Sequence, residues 1–213
     1  MGGVELKTRG YFPRKFFNKE VNEPFVKWVL SKSFLAEKEW ISGNADKGEP
    51  DYFYDGIPFE FTLACDEAVH DTFIMRLRSG KYSSNDLEKD ICEYIQTSIN
   101  KKANKNYSVG GIHLVVIIPI DMFSWVSDYY GSVTHYIFDY RRKEFFEKLR
   151  IKYIQNEVFN NIFIVFPDIA LKWWVYDVKT ENRAFAFLTN EEIESGNYPY
   201  IEVEKDDLSE KGV

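Results

Sequence analysis

Two carboxylates, Asp51 and Glu60, stand nine residues apart on either side of Asp55-Gly56, a dipeptide that strongly signals a tight hairpin turn. A hairpin folded about that turn brings the two acids together although the chain separates them. Carboxylates are hard oxygen ligands of the kind that Mg2+ takes together with water. A metal so held activates water and compensates charge on a phosphoryl oxygen. The same two residues serve equally as turn formers and solvated hairpin caps, and on sequence both roles stay open. No other constellation has comparable catalytic character. His70, His113 and His135 are widely separated in unlike contexts, and Ser124, Ser127 and Ser132 lack a nucleophile elbow. Gly110-Gly111 lacks the rest of a phosphate-binding loop.

The elements that must position the acids follow from periodicity and turn chemistry. A helix is predicted over residues 21–41, with Asn22 near its cap, Pro24 in its first turn and Phe25, Trp28, Val29, Phe34, Leu35 and Trp40 on its apolar face. Strands are predicted over 51–54 and 57–63. Strand side chains alternate, so Phe59, Phe61 and Leu63 share one face and Glu60 and Thr62 the other. Residues 70–78 read as a further strand. A second helix over 86–104 carries a core stripe of Leu87, Ile91, Ile95, Ser98 and Ile99. The nearly continuous apolar run at 112–118 implies a strand buried on both faces. A helix over 141–159, a strand over 162–166 and paired strands over 171–176 and 183–188 complete the pattern. The fold class is α/β, a single domain with a central mixed sheet flanked by helices. Residues 1–20 form an amino-terminal extension, 21–190 the core and 191–213 an acidic carboxy-terminal extension.

Pro50-Asp51 opening the hairpin, Glu60-Phe61-Thr62 on its second strand, the preceding helix and the apolar strand at 112–118 together resemble the restriction-endonuclease-like fold of the PD-(D/E)xK nuclease superfamily. The resemblance extends over residues 20–175. It implies that Asp51 is the first metal carboxylate and Glu60 the second, holding Mg2+ or Mn2+ for attack of water on a nucleic-acid phosphodiester. The departure is Thr62, where that family's pattern has lysine. Threonine supplies neither the charge nor the charge-assisted contact to phosphate. A substitute can come from the following helix, where Lys89, Lys101 and Lys102 are candidates. Lys101 is the one expected in the catalytic role, with Gln96 as a substrate or water contact. The resemblance also implies an acidic residue on the first helix, for which Glu37 is preferred over Glu39 as an additional metal ligand, and Glu49 can enrich the acidic pocket. Solvated helix surface is the ordinary role for the three lysines, surface charge for Glu37, and a mobile loop position for Glu49.

Composition bounds the function classes. A chain of 213 residues with 45% hydrophobic and 29% charged side chains is globular, and 18 Phe, 14 Tyr and 5 Trp are mostly core-filling pieces. The net charge of -7 gives no global argument for nucleic-acid binding. Residues 191–213, however, hold eight acidic and two basic side chains, leaving the remainder nearly neutral. Arg141-Arg142-Lys143 with Lys148, Arg150 and Lys152 is a local basic concentration, and Arg141 and Arg142 are the expected substrate contacts there. No window approaches the ~18 uncharged apolar residues of a membrane span, and no signal-peptide segment is evident at the amino terminus, so a cytoplasmic protein is expected. Cys65 and Cys92 fit no metal-ligand spacing. Two alternatives to a metal-dependent nuclease stand beside it. One is a catalytically inactive restriction-like module binding nucleic acid or a protein partner. The other is an unrelated α/β interaction domain or homodimer, in which Asp51 and Glu60 lie far apart or face bulk solvent.

Overall fold

The computed structural model describes residues 10–11, 14–36, 38–78, 84–119, 134–168, 172–187 and 202–203. In chain order the elements are β1 (Gly10–Tyr11), α1 (Lys19–Ser33), β2 (Trp40–Ser42), β3 (Tyr52–Tyr54), β4 (Ile57–Leu63), α2 (Glu67–Arg78), α3 (Ser84–Ala103), β5 (Ile112–Ile117), α4 (Thr134–Tyr153), β6 (Phe159–Asp168), β7 (Lys172–Asp177), β8 (Arg183–Phe187) and β9 (Glu202–Val203). Seven strands form one mixed sheet in the order β2-β3-β4-β5-β6-β7-β8. The β2-β3-β4 meander is antiparallel, β4-β5 and β5-β6 are parallel, and β6-β7-β8 is antiparallel again. β1 pairs with β9 in a separate two-stranded ribbon, joining the two chain extensions.

Central strand β5 shows why the sheet needs cover on both sides. Its Leu114 and Val116 enter one apolar cluster with Ile91, Ile95 and Ile99 of α3 and Phe145, Phe146 and Leu149 of α4. Val115 and Ile117 enter the other, with Phe25, Val26, Val29 and Leu30 of α1. Alternate side chains therefore feed opposite layers, and the architecture is an α/β sheet flanked by helices. Among the described residues, no helix is long and apolar enough to cross a membrane.

The hairpin forms as its turn residues dictate: Asp55 has φ 50° and Gly56 φ 79°, the left-handed pair that matches the twist of the flanking strands. Elsewhere local signals give way to tertiary ones. α1 starts earlier than its proline suggests, because Asn18, not Asn22, caps it by accepting from Glu20 N at 3.0 Å. Asn22 is instead buried, with its amide donating to Phe16 O at 3.0 Å. The helix also stops sooner than 41, where Phe34 N and Leu35 N both close on Leu30 O at 2.8 Å. Trp40, expected on that helix, belongs to strand β2, and its ring packs against Tyr52, Tyr54, Phe59 and Phe61 across the sheet. Residues 70–78, read as a strand, are helical in α2. Asp66 is the unrecognised cap, its Oδ1 accepting from Val69 N at 2.9 Å. α4 is shifted toward the amino terminus relative to 141–159, and β6 extends back to Phe159 through Asn160-Asn161.

Candidate functional site

β3 and β4 place Asp51 and Glu60 side by side. Asp51 Oδ2 accepts from Phe61 N at 2.8 Å, and Glu60 Oε2 faces Asp51 N at 3.3 Å. Each carboxylate thus helps to fix the other's backbone, a reciprocal lock at the mouth of the hairpin. Register puts Glu60 beside Leu114 and Phe61 beside Val115. Glu60 consequently turns to the α3 side of the sheet, while Phe59 and Phe61 turn to the α1 side. Its residue is 0% exposed, and a buried carboxylate needs compensation.

Compensation comes from α3 and the turn after it. Ser98 Oγ donates to Leu63 O at 2.9 Å and to Ala64 O at 3.2 Å, which pins the helix to the end of β4. Four residues along a helix advance ~6 Å, about the span of two strand residues. Lys102 therefore comes level with the middle of β4 on the same helix face as Ser98. Its Nζ donates to Glu60 Oε1 and lies 3.8 Å from Asp51 Oδ2. Lys105, just past the helix end, reaches the same Glu60 oxygen at 2.6 Å. The two lysines differ in freedom: the Lys102 side chain is 11% exposed and that of Lys105 51%. Burial lowers the Lys102 pKa below the usual lysine value, opposed by its bond to Glu60 and the charge of Asp51.

On the other flank, Lys19 of α1 bridges Asp51 Oδ1 at 3.3 Å and Glu23 Oε1 at 3.2 Å. Glu23 is itself buried and accepts from Tyr52 Oη at 2.9 Å. Burial tends to lower the Lys19 pKa, but Asp51 and Glu23 outweigh it and raise it. Burial and Glu23 push the Tyr52 phenol up. Tyr107 completes the surroundings: its hydroxyl is buried beside Glu60, and burial with the charges of Glu60 and Asp51 pushes the phenol up.

Of the residues singled out in the sequence, Asp51 and Glu60 are brought together. Lys101 is not with them: one position round the helix from Lys102, it projects into solvent, as does Lys89. Gln96 faces α4, where its side chain accepts from Lys152 and its carbonyl from Tyr153 Oη at 3.5 Å. Glu39 is exposed, and the Glu49 carboxylate closes its own loop by accepting from Asn44 N at 2.8 Å. Glu37 and the side chains of Arg141 and Arg142 lie outside the described residues. Lys102 is the residue that extending the Ile91, Ile95, Ser98, Ile99 stripe by one turn would have selected. Lys19, Glu23, Lys105 and Tyr107 have no comparable signal in the sequence.

Among the described residues, His70, His113, Cys65 and Cys92 form no second site. His113 packs between Phe59 and Phe163, with ring centroids 5.0 and 5.9 Å away. His70 packs on Phe17. Neither cysteine is in a disulfide, and burial pushes the Cys65 thiol up to about 12, which keeps it protonated and a poor nucleophile.

Among the described residues no three His, Cys, Asp or Glu side chains converge on a common point. The oxygen donors at the hairpin are the two carboxylates of Asp51 and Glu60, both engaged by lysine ammonium groups. No family model, curated protein or solved structure matches the chain.

Proposed function

We propose that the hairpin carboxylates form the centre of a divalent-metal-dependent phosphodiesterase acting on nucleic acid, on a divergent PD-(D/E)xK scaffold. The observation that carries this reading is the meeting of Lys102 with Glu60 and Asp51. The ammonium that Thr62 cannot supply comes from the neighbouring helix, so carboxylate, carboxylate and lysine stand together without the linear motif. The element order supports the same reading: a helix, an antiparallel meander, a helical crossover and a parallel strand. The seven-stranded sheet is larger than that fold usually has.

In this reading Asp51 and Glu60 hold Mg2+ or Mn2+, which supplies an activated water and charge compensation when bound. Lys102 replaces Lys101 in the catalytic role. Its ammonium, held by buried neighbours, orients the attacking water or meets charge developing on the phosphoryl oxygen. Glu23 acts at one remove, positioning Lys19 against Asp51. Backbone hydrogen bonds to Asp51 at 2.8 Å and to Glu60 at 3.3 Å help to orient both carboxylates.

The lysine bonds at Glu60 also favour a second reading, in which the cluster is a structural ion-pair network in a module that binds without cutting. One experiment separates the two. Mn2+ and Mg2+ are titrated calorimetrically into metal-free protein, and single- and double-stranded DNA and RNA are then incubated with it. Saturable metal binding and metal-dependent cleavage, both lost in Asp51→Asn and cleavage lost in Lys102→Gln, are expected. Folded wild-type protein that neither binds metal up to ~10 mM nor cleaves any of the four substrates refutes catalysis and leaves the binding module.

A further inference from the structure

Every carboxylate oxygen at the hairpin has a donor beside it. Asp51 Oδ1 meets Lys19 at 3.3 Å, and Asp51 Oδ2 accepts from Phe61 N at 2.8 Å with Lys102 3.8 Å away. Glu60 Oε1 takes Lys102 and, at 2.6 Å, Lys105, while Glu60 Oε2 faces Asp51 N at 3.3 Å. A divalent ion reaches these acids by exchange with a cation already there, and the three ammonium groups are not equally held. The side chains of Lys19 and Lys105 are 66% and 51% exposed, that of Lys102 11%. Exposed ion pairs contribute little to stability, whereas parting a buried one is costly. The two exposed lysines also have a second place to rest. Lys19 already lies 3.2 Å from Glu23 Oε1, one helical turn along α1, so it changes partner by side-chain rotation alone. The Lys105 ammonium lies 5.6 Å from the centre of the Tyr107 ring, within reach of its π face. The ionic partners of Lys102 are the two hairpin carboxylates themselves.

We propose that Lys19 and Lys105 are placeholder cations, ammonium groups that hold Asp51 Oδ1 and Glu60 Oε1 until a divalent ion replaces them. The inference rests on the metal-dependent reading above and adds to it a built-in competition for the metal. Charge balances in the exchange: two ammoniums withdraw and one Mg2+ or Mn2+ enters. The buried Glu60 carboxylate is therefore compensated before and after. Lys102, packed between Glu60 and Asp51, stays where it is. Metal affinity is consequently set by what the metal must displace. Removing a placeholder strengthens metal binding, although it removes a side chain that touches the carboxylates.

The test titrates Mn2+ calorimetrically into the full chain after treatment with chelator, in wild type, Lys19→Gln, Lys105→Gln and the double variant. Melting temperature is recorded in chelator and in Mn2+. Lys101→Gln removes an exposed charge one position from Lys102 and controls for net charge. Each single substitution is expected to tighten Mn2+ binding ~3-fold and the double ~10-fold, the scale of one and two exposed ion pairs, while Lys101→Gln changes it less than about twofold. In chelator the double variant is expected to melt about 2–4 °C below wild type, a gap that saturating Mn2+ closes. Wild type that binds Mn2+ as tightly as the double variant, or more tightly, overturns the inference and leaves the phosphodiesterase reading intact. Tightening in Lys101→Gln equal to that in Lys19→Gln and Lys105→Gln also overturns it, since the gain is then one of net charge and not of exchange. Absence of Mn2+ binding in all of the proteins overturns both the inference and the metal-dependent reading. Tighter binding in the double variant without any nucleic-acid cleavage by wild type supports the exchange and removes the nuclease.

Discussion

Replacing Glu60 with Gln tests whether the lysines compensate the hairpin carboxylates or merely lie near them. Glu60 is fully buried, and the Lys102 side chain opposite it is 11% exposed. Removing one member of a buried pair strands the other, at a cost of ~3–5 kcal/mol. Two features of this site soften that loss. Asp51 Oδ2 remains 3.8 Å from Lys102, a gross attraction of about 4 kcal/mol at an effective dielectric of about 20, before desolvation is subtracted. Lys105, already half in solvent, simply returns to water. Glu60→Gln is therefore expected to destabilise the protein by ~2–4 kcal/mol, or roughly 5–15 °C in melting temperature for a chain of this size. Lys102→Met should cost less, ~1–3 kcal/mol, because Glu60 keeps Lys105 and the Asp51 N–H. The double variant has no stranded charge in the pair, so its loss should fall short of the sum of the singles by about 2 kcal/mol.

Urea denaturation of the four proteins at pH 7.5, with equal slopes confirming a common unfolding transition, measures that coupling directly. Additive losses to within ~0.5 kcal/mol, or a Glu60→Gln variant as stable as wild type, would refute the reasoning. The second result carries particular weight, because a carboxylate held among like charges is relieved by neutralisation. Stabilisation on removing Glu60 would mean that repulsion between Asp51 and Glu60 outweighs both ammoniums.

Three further outcomes follow from individual contacts. Lys101→Gln should leave nucleic-acid cleavage within about twofold of wild type, while Lys102→Gln lowers it by ~100-fold or more, the scale of losing a preorganised electrostatic group; equal effects in initial-rate assays would return Lys101 to contention. Asn18→Ala should cost ~1 kcal/mol for a lost helix cap, and Asn22→Ala ~1–3 kcal/mol because it leaves the Phe16 carbonyl without its buried donor; denaturation curves in which Asn18→Ala is neutral would contradict the cap assignment. Burial lowers the His113 pKa, partly opposed by Asp177 and reinforced by Lys179, so the unfolded imidazole, near 6.5, takes up its proton first. The stability associated with neutral His113 is thus complete above ~6.5 and declines as pH falls toward the native pKa. His70, also lowered chiefly by burial, acts in the same direction. Melting temperature should drop between pH 7.5 and 5.5, and His113→Phe should make that drop smaller; an undiminished drop assigns it to other groups.

What the sequence discloses about this site divides along a physical line between local and tertiary information. Asp55-Gly56 specifies its own turn, and a two-residue period specifies the faces of β4, so the convergence of Asp51 and Glu60 is legible without any partner element. The double-sided burial of β5 is legible for the same reason, since Leu114, Val115, Val116 and Ile117 are apolar regardless of which helix covers them. Trp40 is not legible in this way. Ser31-Lys32-Ser33 weakens the helix, yet the strand identity of Trp40 comes from four aromatic neighbours that lie 12 to 21 positions farther along the chain. The lysine at the hairpin falls between these cases. Helical period narrows it to the α3 core stripe, which favours Lys102 over Lys101, but its level on the strand depends on Ser98 docking against Leu63 and Ala64. A rise of 1.5 Å per residue against 3.3 Å means that a slip of one helical turn moves the ammonium past about two strand positions, away from Glu60. A positive charge beside a carboxylate pair is a requirement on position in space, and this chain can meet it from a helix because the Ser98 hydrogen bonds to Leu63 O and Ala64 O fix the register between the two elements.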